Sequence, residues 1–178
     1  MNEEDLVKKC VSGDDKAQFE LFNRFSSTMM GVVLRYINDR ERADDVLQDG
    51  FIKVFNNLHL FESKGSLEGW IRRIMVNTSL DQIRKDKKDK FNIELDDSFI
   101  EIVQENEVEG TLQAEILMNL VQQLPDGYRI VFNMYAIEGY SHKEIADRLN
   151  ISENTSKSQY SRAKAALREV LKKLNIER

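Results

Sequence analysis

Residues 140–168 read YSHKEIADRLNISENTSKSQYSRAKAALR and spell out two helices about a tight turn. Ser141 followed three residues on by Glu144 is a capping box, a helix start in which each side chain satisfies the other's backbone N–H. Ile145, Ala146 and Leu149 then share one helical face, and Ala146 is small where a second helix must cross closely. Asn150 stands at the turn, where the backbone must go left-handed; after Gly, Asn tolerates that best. Ile151 plugs the core. Ser152 caps the second helix, with Thr155 at its third position. Tyr160, Ala163, Leu167 and Val170 or Leu171 line the inner face, while Lys157, Ser158, Ser161, Arg162 and Arg168 lie outside. This is the pattern of a helix-turn-helix whose second helix offers donors to base edges and phosphates of a major groove. A helical hairpin with a polar outer face is the competing reading.

The rest of the chain is helical by period. Leu112, Ile116, Leu117, Leu120, Val121 and Leu124 form one stripe; Pro125 ends that helix, Asp126 is placed to cap the next, and Gly139 closes it. Ile130, Val131, Met134 and Tyr135 give that next helix its core face. Toward the N-terminus, Phe19, Phe22, Phe25 or Ser26, Met29, Val32, Val33 and Tyr36 recur at spacings of three and four. Ala43, Val46, Leu47, Gly50, Phe51, Val54, Phe55 and Leu58 do the same after a polar break at residues 38–41. A loop at 61–67 precedes a helix over 67–85, with Trp70, Ile71, Ile74, Met75 and Thr78 expected on its apolar side. Residues 91–111 carry seven acidic side chains and no basic one, and are expected to form a flexible acidic linker. Strand signals are scarce. The expected class is all-α: two small helical domains, 1–90 and 112–178, joined by that linker.

Composition excludes several classes. The 178 residues include one Cys and two His, so neither a disulfide framework nor a Cys- or His-based metal site is expected. No Ser–His–Asp arrangement, phosphate-binding Gly loop or metal-ligand spacing appears; the expectation is a non-enzyme with no cofactor and no metal. The acidic start at Glu3, Glu4 and Asp5 is unlike a secretory signal, and the longest apolar stretch, 29–34, is far below the roughly 18–20 residues of a membrane span. A cytoplasmic location is inferred. Cys10 reads as an ordinary helix-face thiol.

The net charge of −5 hides two basic blocks. Residues 64–90 and 141–178 each carry +4, whereas 1–63 carry −4 and 91–140 carry −9. Basic blocks are what a polyanion-binding surface requires, although two solvated helix faces give the same count. On the 67–85 helix, Arg73, Asn77, Asp81 and Arg84 share a face, expected opposite Trp70, Ile71 and Ile74. An Asn between Arg residues can read a base edge while the guanidinium groups hold phosphates. Lys85, Lys87, Lys88 and Lys90 extend the field, and intrahelical Arg–Asp pairing is the competing reading. On the helix before it, Asp45, Gln48, Asp49 and Ile52 lie away from the apolar side and suit docking on a basic protein surface.

Three segments in this order resemble one family. DDVLQDGF, residues 44–51, resembles the core-binding motif of bacterial RNA polymerase sigma factors of the extracytoplasmic-function type, within the sigma-70 family. WIRRIMVNTSLDQIR, 70–84, is similar to that family's helix for melting and reading the minus-ten element, and 124–168 is similar to its minus-thirty-five domain. The resemblance spans about residues 5–174. It implies core RNA polymerase and promoter DNA as partners, and an anti-sigma factor as a third, with no direct membrane insertion. It implies core docking through Asp45, Gln48 and Phe51, the last by packing. Arg73, Asn77, Asp81 and Arg84 would lie at the opened minus-ten DNA, with Lys64, Gly65 and Ser66 in a loop that pockets a flipped base. Thr155, Lys157, Ser158, Ser161 and Arg162 would contact the minus-thirty-five duplex. The acidic linker would thread into the polymerase's RNA channel.

The chain departs from the family pattern at Asn150, in place of the usual turn Gly, and at Gly50, in place of a better helix former. Ser156 replaces Val or Ile, which is expected to loosen packing. A stand-alone helix-turn-helix regulator and a helical adaptor with no DNA role are the alternatives.

Overall fold

The computed structural model describes residues 2–86 and 113–174, all of them helical or in turns and short loops. The expected linker, with Lys87, Lys88 and Lys90, lies outside the described residues. The chain forms two compact units, Met1–Asp86 and Lys87–Arg178.

In the first unit, α1 (Glu3–Val11) is capped by Asn2 and α2 (Asp15–Leu34) by Asp14, whose carboxylate accepts from the Lys16 and Ala17 N–H groups. α3 (Arg40–Asn57) is capped by Asp39, inside the predicted polar break. A single 3-10 turn at Leu58–Leu60 leads through a loop to α4 (Leu67–Asp86). The core is built from Leu6, Leu21, Met29, Val54, Ile71 and Met75 among others, all fully buried. Each such side chain contributes about 1.5–3 kcal/mol of burial. The buried stripe of α2 runs through Ala17, Leu21, Phe25 and Met29 at strict fourfold spacing. Phe19, expected on that stripe, is instead 68% exposed, because it sits two residues, about 200° of helical turn, from both Ala17 and Leu21. Gly50 faces α4 at the point where the Met75 thioether fills the space a Cβ would take. The departure noted at that position is therefore a close helix crossing.

In the second unit, α5 (Gln113–Gln123) and α6 (Asp126–Phe132) meet at Pro125. Pro125 itself holds the N-cap position, so the sequence expectation that Asp126 caps this helix is corrected. Asp126 lies in the first turn and pairs with the buried Arg129 at 2.8 Å. Arg129 also donates to the Leu124 carbonyl at 3.1 Å, tying the end of α5 to the start of α6. Burial pulls the guanidinium pKa down and Asp126 opposes that. The helix continues as a π-helical turn, Asn133–Ile137, and reverses at Gly139, whose φ is +77°. α7 (His142–Leu149) and α8 (Glu153–Lys173) follow. Leu120, Val121, Leu124, Tyr128, Ala163, Leu167 and Val170 form one apolar cluster.

Candidate nucleic-acid interface

The loop between the 3-10 turn and α4 walls a cleft of about 420 Å³. Lys64, Gly65 and Ser66 line it, and so do Leu60, Phe61 and Trp70. The Phe61 and Trp70 rings sit 5.7 Å apart at 54°, and Leu60 is 59% exposed. Lys64 pairs with Glu62 at 2.5 Å on the rim. The Ser66 hydroxyl accepts from the Gly69 N–H at 3.0 Å and so serves as the cap of α4. Trp70 is half-buried and borders the cleft with Arg73. Its expected placement opposite Arg73 is therefore corrected. Trp70 precedes Arg73, Asn77, Asp81 and Arg84 by three, seven, eleven and fourteen residues, which is one helical face.

Along that face Arg73 and Arg84 are exposed, Asn77 and Asp81 half-buried. Asp81 pairs with Arg84 on its own helix and accepts from Lys53 of α3 at 3.3 Å. Arg42 of α3 pairs with Asp86 at the end of α4. Solvent-facing pairs of this kind hold side chains in place more than they stabilise, at about 0–1 kcal/mol each.

On α3, Asp45, Gln48, Asp49 and Ile52 are exposed together and border a shallow groove with Arg42. Phe51, expected to contribute by packing, is 3% exposed, with its ring 4.8 Å from Phe22 and 6.2 Å from Phe55. Its position on α3 points into the unit, so it sets how α2 supports α3.

The second unit carries the helix-turn-helix. Ser141 accepts from the Glu144 N–H at 3.2 Å and the Glu144 carboxylate accepts from the Ser141 N–H at 2.9 Å. Asn150 adopts φ 55°, ψ 47°. Ser152 accepts from the Thr155 N–H at 2.9 Å, and the two hydroxyls lie 2.8 Å apart. Thr155 is thus partly engaged in the cap, whereas Lys157, Ser158, Ser161 and Arg162 are exposed on the first turns of α8. Lys157 pairs with Glu153 at 2.7 Å and holds that carboxyl below its usual pKa.

Sequence reasoning gave His142 no role. Its Nδ1 lies 2.9 Å from the hydroxyl of Ser156, which is fully buried. Its ring stacks on Tyr135 at 4.3 Å and 13°. Ser156 therefore links α7 to α8 through a hydrogen bond. Desolvation, with Lys157 adding to it, pushes the imidazole pKa down from the ordinary 6.5, against the opposing pull of Glu153. Tyr135, expected on the core face, lies within the π-helical turn and is instead 38% exposed.

Two family profiles match the chain: Sigma-70 region 2 over residues 21–89, and Sigma-70, region 4, over residues 114–167. The chain belongs to the sigma-70 family. Its relatives place it among the extracytoplasmic-function sigma factors. It is 28% identical to the ECF RNA polymerase sigma factor SigW of Bacillus subtilis (strain 168), over 94% of this chain and 96% of that one. It is 26% identical to the RNA polymerase sigma-H factor of Pseudomonas aeruginosa, over 97% and 95%. A solved structure of CnrH in complex with the cytosolic domain of CnrY superposes with a TM-score of 0.50 at 22% identity, over 94% of this chain and 95% of CnrH. That likeness concerns the fold.

For this sigma factor, region 2 contains the cleft, the α4 face and the α3 stripe, and region 4 contains the helix-turn-helix. The stand-alone regulator is set aside, because a repressor or activator reading leaves region 2 unexplained. Among the described residues no helix is long and apolar enough to cross a membrane.

Proposed function

We propose that this sigma factor divides its work by unit, with residues 1–90 acting as the core-binding and minus-ten part, 112–178 as the minus-thirty-five part and 91–111 as the tether. It directs core RNA polymerase to promoters and helps to open them. The observation that carries the reading is that two sigma-70 regions lie in chain order, each on a helical unit with exposed cationic side chains on one helix.

In region 2, Asp45 and Gln48, with Asp49 and Ile52 beside them, form the docking stripe for a basic surface of the polymerase, and Phe51 supports it from within. Arg73, Asn77 and Arg84 meet the opened minus-ten strand. Asp81 acts mainly by fixing Arg84 and Lys53. The loop of Lys64, Gly65 and Ser66 takes an unpaired base into the cleft, where Leu60, Phe61 and Trp70 supply apolar and aromatic surface. Stacking of a base on such surface is worth about 1–3 kcal/mol and tolerates any base, so discrimination falls to the loop's polar groups. Capture of the unpaired base draws the duplex toward the melted state, since it stabilises only that state.

In region 4, Lys157, Ser158, Ser161 and Arg162 read and grip the minus-thirty-five duplex, and Thr155 holds the helix start that presents them. The protein works in the cytoplasm. An anti-sigma protein, clamping apolar faces of the two units, is its regulating partner.

Arg73→Ala combined with Asn77→Ala tests this division. Open-complex formation with core polymerase, followed by permanganate footprinting, is expected to fall about tenfold or more, the scale of one or two lost charged hydrogen bonds. Minus-thirty-five binding should be retained. Unchanged opening overturns the minus-ten assignment.

A further inference from the structure

α1 lies outside the segment that matches the region 2 profile, which starts at residue 21. Yet Glu3, in its first turn, reaches across 64 positions of sequence. Its carboxylate accepts a hydrogen bond from the Leu67 N–H at 3.2 Å. Leu67 is the first residue of α4 and is fully buried, so water is a poor substitute for that acceptor. The first N–H groups of a helix have no partner within it, and the positive end of the helix dipole favours a carboxylate there. The Ser66 hydroxyl is already committed to the Gly69 N–H. Two side chains, one local and one from the far end of the unit, therefore divide the orphan donors of this helix start.

α1 also packs on the 3-10 turn at Leu58–Leu60. Leu6 anchors it, fully buried in the same unit. The loop that walls the cleft runs from that 3-10 turn to Leu67. Both of its ends are thus held by one helix, by packing at one and by the Glu3 carboxylate at the other.

We infer that Glu3 is a positioning residue for minus-ten recognition: by capping α4 from α1 it fixes the loop of Lys64, Gly65 and Ser66 against Trp70 and Arg73. The inference rests on the proposed use of that cleft to take an unpaired base. Loss of the carboxylate leaves Trp70 and Arg73 on α4 in place but lets the loop of Lys64, Gly65 and Ser66 wander. Selectivity for the captured base then falls, while region 4 is unaffected.

The test uses the full chain with core polymerase on a pool of promoter DNA randomised at both elements. Start sites and base preferences are read by sequencing for wild type, Glu3→Ala, Glu3→Gln and Glu4→Ala. Glu3→Ala is expected to flatten the preference at one minus-ten position by about fivefold or more, the scale of a lost helix cap. Preferences at the minus-thirty-five element should not move. Glu3→Gln keeps a carbonyl oxygen that can accept from Leu67 and should restore most of the selectivity. Glu4→Ala, which removes the adjacent first-turn charge, should match wild type. Unaltered minus-ten preference in Glu3→Ala overturns the inference. So does a uniform loss of signal at both elements, which is what mere destabilisation produces. Lys64→Ala, which removes a polar group of the cleft loop itself, runs alongside. If it keeps wild-type minus-ten preference, the cleft reading itself fails; if it loses that preference while Glu3→Ala keeps it, only the role of Glu3 fails.

Discussion

Arg129 shows how one buried charge can hold an element junction. It satisfies the Leu124 carbonyl at the end of α5 and Asp126 at the start of α6. Arg129→Met keeps the aliphatic volume but abandons both partners. It should cost about 1–3 kcal/mol, the scale of leaving the buried Leu124 carbonyl without its donor, read as a lower urea midpoint with an unchanged slope. His142 gives a pH dependence. Its folded pKa lies below its ordinary 6.5, so the folded unit takes up a proton there less readily than the unfolded chain. The stability it supplies is complete above that ordinary value and is lost as pH falls through the lower, folded one. Between pH about 7.5 and about 5 the melting temperature should therefore drop, and His142→Gln should reduce the drop. An equal drop in the variant assigns the effect to other groups. Ser156 belongs to the same pair, and its polarity makes sense only with His142 in view.

At the scale of elements, the signals that could be read from sequence were the local ones. The Ser141–Glu144 box, the Asn150 turn and the Ser152 cap involve residues within three or four positions, and backbone chemistry determines them directly. The boundaries of α3 and α4 followed from period and polar breaks for the same reason. Non-local packing was out of reach. Tyr135 lies in the π-helical turn, and its ring contacts reach His142 of α7 and Tyr160 of α8, which no local pattern announces. The bond from Glu3 to Leu67 spans the whole unit. Trp70 is a different case: its spacing already placed it beside Arg73, but its apolar character drew it to the core. An aromatic ring that is half-buried beside cationic residues serves an interface as well as a core. Ser152→Ala tests the element most directly. It should cost about 1 kcal/mol and weaken minus-thirty-five binding in proportion to the fraying of α8, measured by circular dichroism and by band shift with region 4 promoter DNA.

For the whole molecule, the proposed division of work leaves neither unit sufficient by itself. On that proposal the minus-ten face acts on a single strand that does not exist until the duplex opens. The proposed minus-thirty-five helix carries cationic side chains, which bind phosphates of any sequence at low salt. Specificity therefore belongs to the assembly in which polymerase holds both units on one promoter at once. The family assignment and the two exposed faces converge on that description. The most direct measurement is transcription on random promoter DNA with start sites sequenced, run with core polymerase plus this chain and with either alone. The account predicts starts that share two separated elements and appear only when both components are present. Starts without a shared pair of elements, or tight selection of DNA by the chain in the absence of polymerase, would contradict it.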